Sequence, residues 1–212
     1  MDTLPIELVT IIAVDSFELF TTLLRVATIG NRLCEQYPQQ IAKEKFISYL
    51  DASHIKFIFL NGRLHSFNEQ PAVVKANGTI KWYRYGNLHR ENDLPAAIYS
   101  YYKEWYWRGQ LHRENDLPAV EYSFTGKEWY QHGVRHRDGD LPAIHFKNDR
   151  EEWYQYGKPH RGDGLPAIVY SNGYTEWRVY GRRHRDNNLP AVIHANGSKE
   201  WYIDGEFIKR QN

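Results

Sequence analysis

Histidine–arginine pairs recur along this sequence at His89-Arg90, His112-Arg113, His136-Arg137, His160-Arg161 and His184-Arg185, with His65-Ser66 before them and Ile208-Lys209 after. Imidazoles can ligate a metal or act as general bases, and guanidinium groups seat carboxylates and phosphates. A zinc site, however, needs three or four ligands converging at about 2 Å, whereas positions repeated along a β-array stand about 10 Å apart. A pair repeated in every unit therefore reads first as structure. No Ser/His/Asp, Cys/His or phosphate-loop constellation accompanies the pairs, and the glycines fall at a repeat period, not in a G-x-G-x-x-G cluster. The expectation is a non-enzymatic protein, with no catalytic residue, no metal and no cofactor.

The elements that must position these side chains show in the period. Gly62, Gly86, Gly109, Gly133, Gly157, Gly181 and Gly205 are spaced by 24, 23, 24, 24, 24 and 24 residues. Pro71, Pro95, Pro118, Pro142, Pro166 and Pro190 keep the same beat, as do Trp82, Trp105, Trp129, Trp153, Trp177 and Trp201. Such self-similarity marks a repeat architecture, in which each unit is one supersecondary element that buries its apolar face only against its neighbours. Each unit reads as two strands and two turns. An E-W-Y-x-x strand runs to the leading glycine, a polar stretch such as HREND follows, and an apolar stretch such as LPAVEY makes the second strand. Asn77-Gly78, Asn172-Gly173 and Asn196-Gly197 close hairpins, both residues of such a pair tolerating φ > 0. Alternation along the first strand places Trp105 and Trp107 on one face and Glu104, Tyr106 and Arg108 on the other.

These columns assign the structural residues: Gly86, His89, Arg90, Pro95, Trp105, Gly109, His112, Arg113, Pro118, Glu128, Trp129, Gly133, His136, Arg137, Glu152, Trp153, Trp177 and Trp201. Glu104, Glu128, Glu152, Glu176 and Glu200 each precede the tryptophan of a unit. Arg–Glu pairs within 4 Å are expected to neutralise charge beside the aromatic ladder, with arginine stacking on Trp or Tyr as a companion contact.

The first fifty residues change pattern. Asp2 or Thr3 can cap a helix carrying Leu8, Val9 and Ile12; Phe17, Phe20, Leu23, Leu24 and Ala27 form the face of a second; and Ile41, Phe46, Ile47 and Leu50 outline a last one. Residues 1–50 are thus expected to be a helical segment of three or four short helices, and residues 51–212 an array of about six 24-residue units.

Composition bounds the rest. With 16 Tyr, 9 Phe and 7 Trp the aromatic share is 15%, which favours sheet. One cysteine, Cys34, excludes an intrachain disulfide framework and fits a reducing compartment. The start of the chain lacks the basic opening of a signal peptide, and no apolar run nears the ~20 residues that span a bilayer. An intracellular, cytoplasmic protein is expected. Lys and Arg number 4 against 6 Asp and Glu in residues 1–50, and 23 against 20 beyond. That balance argues against nucleic acid, whose binders concentrate positive charge.

The recurring W-Y-x-x-G-x-x-H-R with L-P-A resembles the MORN-like repeat family over residues 55–212, in the divergent form found in proteins of large DNA viruses. The resemblance implies a twisted single-layer hairpin array that serves as a scaffold, a dimerisation surface or a membrane-proximal platform. LPIELVTIIAVDSFELFTTLLRVATIGNRL is similar to an F-box, with Leu4, Pro5, Glu7, Ile12, Leu23, Leu24 and Val26 at matching positions. That likeness implies helices that bind the adaptor of a cullin-type ubiquitin ligase, leaving the repeats to recruit a substrate; a plain helical cap is the alternative.

The fold class expected is therefore mainly β with a small α part: an elongated single-layer twisted antiparallel sheet of tandem hairpins, capped by the helices. The function expected is protein–protein scaffolding, the partner being another protein, a second copy of the chain in a homodimer, or a ubiquitin-ligase adaptor. A membrane-surface or acidic-ligand module is the further alternative. Specificity should lie where the pattern breaks, at Trp107, Glu121, His132, His145 and Arg182-Arg183, or in Leu4, Pro5, Leu8, Ile12, Leu23 and Leu24.

Overall fold

The computed structural model describes residues 46–51, 54–60, 63–67 and 69–212. Every helix or strand among them is a strand, and the pairings are antiparallel. The fold is mainly β, built of tandem hairpins. Most of the helical segment, with Leu4, Pro5, Leu8, Ile12, Leu23 and Leu24, lies outside the described residues. Its end does not: Phe46–Asp51 is a strand paired with His54–Leu60, so the helix expected over Ile41, Phe46, Ile47 and Leu50 gives way to sheet. Short apolar runs satisfy both periods, and here the β-forming Phe-Ile-Ser-Tyr-Leu has a long partner strand to pair with.

Two compact units divide the chain, Met1–Asn87 and Leu88–Asn212. In the first, His54–Leu60 pairs on one edge with Phe46–Asp51 and on the other with Val73–Lys75, which in turn pairs with Ile80–Lys81. The second unit carries the clearest repeats. Ala97–Ile98, Tyr102–Glu104, Val120–Tyr122, Gly126–Glu128, Ile144–Phe146, Arg150–Glu152, Ile168–Tyr170, Thr175–Glu176, Val192–Ile193, Lys199–Ile203 and Glu206–Gln211 follow one another across a sheet in chain order.

Each repeat but the last contributes four strands, not the two expected from the alternation. At the tryptophan the chain leaves the main sheet and forms a two-stranded side hairpin, as in Tyr106–Trp107 with Gln110–Leu111 and Tyr130–Gln131 with Val134–Arg135. Trp105 therefore does not share a continuous strand face with Trp107: the former is 6% exposed and the latter 39%. The Trp129 amide donates to the Ala143 carbonyl at 2.8 Å, and the His136 amide to the Trp129 carbonyl at 3.3 Å, so the kink keeps its backbone groups satisfied.

The two turns differ in type. The side hairpins have two-residue loops whose members both sit at positive φ: Arg108 and Gly109 at 49° and 84°, Tyr156 and Gly157 at 50° and 77°. That is the type I′ geometry whose twist suits a tight hairpin. At Asn77-Gly78, Asn172-Gly173 and Asn196-Gly197, only the glycine has positive φ. There the asparagine Oδ1 instead accepts the amide two residues on, from Thr79, Tyr174 and Ser198. The hairpins expected at these pairs form, but with a turn that uses asparagine as an acceptor.

The core is thin and repetitive. Ala72, Ala96, Ala119, Ala143, Ala167 and Ala191 are 0% exposed, flanked by Val73, Ala97, Val120, Ile144 and Val192 and by the tryptophans.

Candidate functional site

Around the repeat tryptophans of the second unit one indole bond recurs. The indole Nε1 of Trp105, Trp129, Trp153, Trp177 and Trp201 donates to the carbonyls of Asp93, Asp116, Asp140, Gly164 and Asn188, at 2.8–3.1 Å. Those acceptors lie in the polar loop, whose tip holds successive residues at positive φ: Asn92-Asp93, Asn115-Asp116, Gly139-Asp140, Asp163-Gly164 and Asn187-Asn188. Asn, Asp and Gly tolerate this left-handed conformation best, which explains the HREND-like composition.

The arginines of four His–Arg pairs stack over the indoles. Arg113, Arg137, Arg161 and Arg185 place Cζ 3.9, 3.7, 3.8 and 3.7 Å from the rings of Trp105, Trp129, Trp153 and Trp177. Nε and Nη2 of Arg113, Arg137 and Arg161 then grip both oxygens of Asp93, Asp116 and Asp140, at 2.7–2.9 Å. Bidentate pairing of this kind is strong and geometrically selective. The hydrogen bond from Arg113 holds the Asp93 carboxyl below the usual carboxylate range, and that from Arg161 does the same for Asp140. In Arg90, Arg113, Arg137 and Arg185, Nη1 also donates to a proline carbonyl, from Pro95, Pro118, Pro142 and Pro190.

The partner of these arginines is thus the loop aspartate of the preceding repeat, not the glutamate before the tryptophan. Those glutamates recruit other arginines. Glu128 is met by Arg135 at 3.1 Å, Glu152 by Arg150 at 3.2 Å, Glu176 by Arg178 at 2.8 Å and also by Arg183, and Glu200 by Arg210 at 3.8 Å. Tyrosines complete the row: Tyr130, Tyr154, Tyr174 and Tyr202 donate to Glu128, Glu152, Glu176 and Glu200 at 2.7–3.0 Å. Burial, with the neighbouring carboxylate, pushes Tyr122, Tyr154 and Tyr174 up to about 12. A shallow groove on this face is lined by Tyr170, Tyr174, Glu176 and His194.

Histidine supplies the staple between repeats. Nδ1 of His89, His112, His136, His160 and His184 accepts the backbone amides of Arg108, His132, Tyr156, Tyr180 and Asp204, at 3.1–3.4 Å. Nε2 of His89, His112, His136 and His184 faces Glu91, Glu114, Asp138 and Asp186 at 2.9–3.1 Å. An Nδ1 that accepts leaves the proton on Nε2, so these two bonds together select the neutral Nε2–H tautomer. Both ring nitrogens of His89, His112, His136 and His184 are occupied, and among the described residues no three His, Cys, Asp or Glu side chains converge as metal ligands.

On top of the staples lies a row of outward rings. His132 stacks on His112 at 4.3 Å, Tyr156 on His136 at 4.9 Å and Tyr180 on His160 at 4.0 Å. Tyr156 is 73% and Tyr180 52% exposed, and both hold positive φ. Trp107 sits one residue earlier in its hairpin and packs edge-on against His89 at 4.6 Å. The turn tips of the main sheet add Tyr101 at 73% and Phe124 at 87% exposure. Of the pattern-breaking positions, Trp107 and His132 join this row of rings. His145 does not: it faces Glu151 at 3.0 Å in the sheet. Glu121 receives Arg113 at 3.1 Å. Sequence alternation missed Tyr156 and Tyr180, although their place before a leading glycine marks the first position of a type I′ turn, where a bulky residue is out of character.

No protein-family model matches the chain, and no curated protein matches it. Among the described residues no helix is long and apolar enough to cross a membrane.

Proposed function

We propose that the array is a non-enzymatic protein–protein interaction scaffold that presents its outward rings to a protein partner. The observation that carries this reading is the pair Tyr156 and Tyr180, exposed in a backbone conformation that tyrosine disfavours. Holding a bulky residue there costs on the order of 1–3 kcal/mol, and an Asn, Asp or Gly would avoid most of that cost. Asp204 fills the equivalent position of a later repeat with φ 51°. The histidine beneath each tyrosine offsets the strain through the ring stack and the amide–Nδ1 bond, and it also immobilises the ring. Rigid, exposed aromatic anchors are what binding hot spots are made of, because little side-chain entropy remains to be lost on association.

The test is affinity capture from cell lysate with the full chain and with a Tyr156→Asn/Tyr180→Asn variant. Partners retained by the parent chain should be lost by the variant, while the melting temperature is unchanged or higher. An identical captured set from both proteins overturns the reading.

A second reading, self-association, is favoured by Glu206–Gln211. This strand is exposed throughout, pairs only with Lys199–Ile203 among the described residues, and bears Phe207 and Ile208 at 57% and 52% exposure. An open edge of this kind is a template for pairing with a second copy. Sedimentation should detect dimers that Ile208→Asp abolishes; a strict monomer at high concentration ends this reading.

A further inference from the structure

Three clamps of the second unit carry their own anion: Asp93 in Arg113, Asp116 in Arg137 and Asp140 in Arg161. The fourth does not. Arg185 lies 3.7 Å over Trp177 and donates Nη1 to the Pro190 carbonyl at 3.2 Å, as Arg113 and Arg137 do to Pro118 and Pro142. The loop residue whose carbonyl accepts the Trp177 indole is Gly164, which has no carboxylate to offer. A Cβ built on Gly164 meets nothing within 4 Å, so the place filled by aspartate in the earlier repeats is open space here. Among the described residues no acidic side chain bonds to Arg185: Asp186 is engaged by His184 at 3.0 Å, and Glu176 by Arg178 and Arg183. Burial alone lowers the affinity of Arg185 for its proton, with no carboxylate acting on it. The next repeat makes a similar exchange, with Lys209 Nζ 4.5 Å over Trp201 and Asn188 as the indole's acceptor.

We propose that the Arg185–Trp177 clamp is a binding seat for a carboxylate from an acidic segment of a partner protein. The chain itself shows what the ligand looks like: an aspartate side chain, gripped through both oxygens by Nε and Nη2 of an arginine held flat against an indole. The stack on Trp177 and the bond to the Pro190 carbonyl hold the Arg185 guanidinium as the equivalent contacts hold Arg113 and Arg137, so little ordering is left for the ligand to impose. Lys209, one repeat further, supplies a second positive charge about 10 Å away, within reach of another acidic residue of the same extended segment. This inference rests on the scaffold reading and names the chemistry of one partner contact.

The Trp177 indole resonance of the full-length 15N-labelled protein reports the seat. Titration with N-acetyl-aspartate amide should shift it saturably, leaving the Trp129 and Trp153 indoles in place, whereas N-acetyl-asparagine amide should do nothing. Gly164→Asp restores the internal carboxylate in a conformation that Asp140 already adopts at φ 53°, and should weaken probe binding about tenfold or more. Gly164→Asn, neutral and equally tolerant of that conformation, should leave binding intact; this separates occupation of the seat from damage to the loop. A Trp177 indole indifferent to the aspartate probe, a shift that survives Gly164→Asp, or saturation by methyl phosphate in place of aspartate overturns the proposal. Any of these leaves the tyrosine-row scaffold standing, since that reading is decided by capture with the Tyr156→Asn/Tyr180→Asn variant.

Discussion

Two rows of charged and aromatic side chains run through the second unit, and they are built on opposite principles. In the tryptophan row, the indole-to-carbonyl bond recurs at Trp105, Trp129, Trp153, Trp177 and Trp201, and the stacked arginine recurs through Arg185. In the glutamate row every repeat finds its own solution: Tyr122, Tyr130 and Arg135 around Glu128, Tyr174, Arg178 and Arg183 around Glu176, His194, Tyr202 and Arg210 around Glu200. The difference follows from what each row binds. Indoles and stacked arginines reach main-chain carbonyls of Asp93, Asp116 or Pro118, whose positions the backbone repeat dictates. The glutamates meet side chains, and long side chains can arrive from several positions. The first row specifies the fold; the second only has to neutralise buried carboxylates.

The largest effect that separates the rows is expected at Trp153, 7% exposed and bonded through Nε1 to the Asp140 carbonyl at 3.1 Å. Trp153→Ala should cost about 3–5 kcal/mol by opening a cavity that also strands Arg161 and the carbonyl. Equilibrium urea unfolding measures it, and a loss below about 1 kcal/mol would show that the tryptophan row is not the organising one.

Much of this row could be read in the sequence, and the unread part has a specific cause. The 24-residue beat exposed the hairpins, and Asn, Asp and Gly in the loops reported backbone at positive φ without revealing it. Alternation through Glu-Trp-Tyr looked like one strand, because a kink that satisfies its own hydrogen bonds leaves no breaker residue behind. The Arg–Glu pairs expected from the spacing do form, at Glu128, Glu152, Glu176 and Glu200, but Arg113, Arg137 and Arg161 of the His–Arg pairs take loop aspartates instead. Arg137 and Asp116 meet only because consecutive side hairpins stack, with Gly133 donating to Leu111 at 2.9 Å, and that register is a property of the assembled array. In the stretch Phe46–Asp51, apolar spacing fitted helix and strand alike, and the partner strand His54–Leu60 decided it.

A smaller effect is expected in the glutamate row where a carboxylate holds two arginines. Glu176 is 3% exposed and engages Arg178, Arg183 and the Tyr174 hydroxyl. Glu176→Gln keeps the shape and an acceptor but removes the charge that both guanidinium groups face, which should cost about 1–3 kcal/mol. Urea unfolding again checks it; a cost equal to that of Trp153→Ala would erase the distinction between the rows.

Alkaline pH perturbs the glutamate row through its tyrosine hydroxyls. Tyr122, Tyr154 and Tyr174 are raised from 10.0 to about 12, so their protonated hydroxyls bind protons more tightly folded than unfolded. Their contribution is complete below pH 10 and is lost as pH rises through about 12. Melting temperature should therefore fall across that window, with phenolate absorbance appearing later than in the urea-unfolded chain. Tyr154→Phe removes one of these hydroxyls and should cost about 1 kcal/mol at neutral pH, while flattening the alkaline fall.

The smallest effect should come from Glu104, and its sign is informative. Tyr99 and Tyr106 hydroxyls bond to this carboxylate, but among the described residues Oε2 is buried without a hydrogen-bond partner and no arginine pairs with it. A buried charge lacking its counter-ion is held at a cost, so Glu104→Gln, which keeps an acceptor for the tyrosines and discards the charge, should be neutral or stabilising by up to about 1 kcal/mol. The same substitution at Glu176 should destabilise. Opposite signs for one chemical change at equivalent repeat positions would establish that the glutamate row is solved repeat by repeat; a shared loss at both sites would mean that the carboxylate itself, and not its local partners, belongs to the fold.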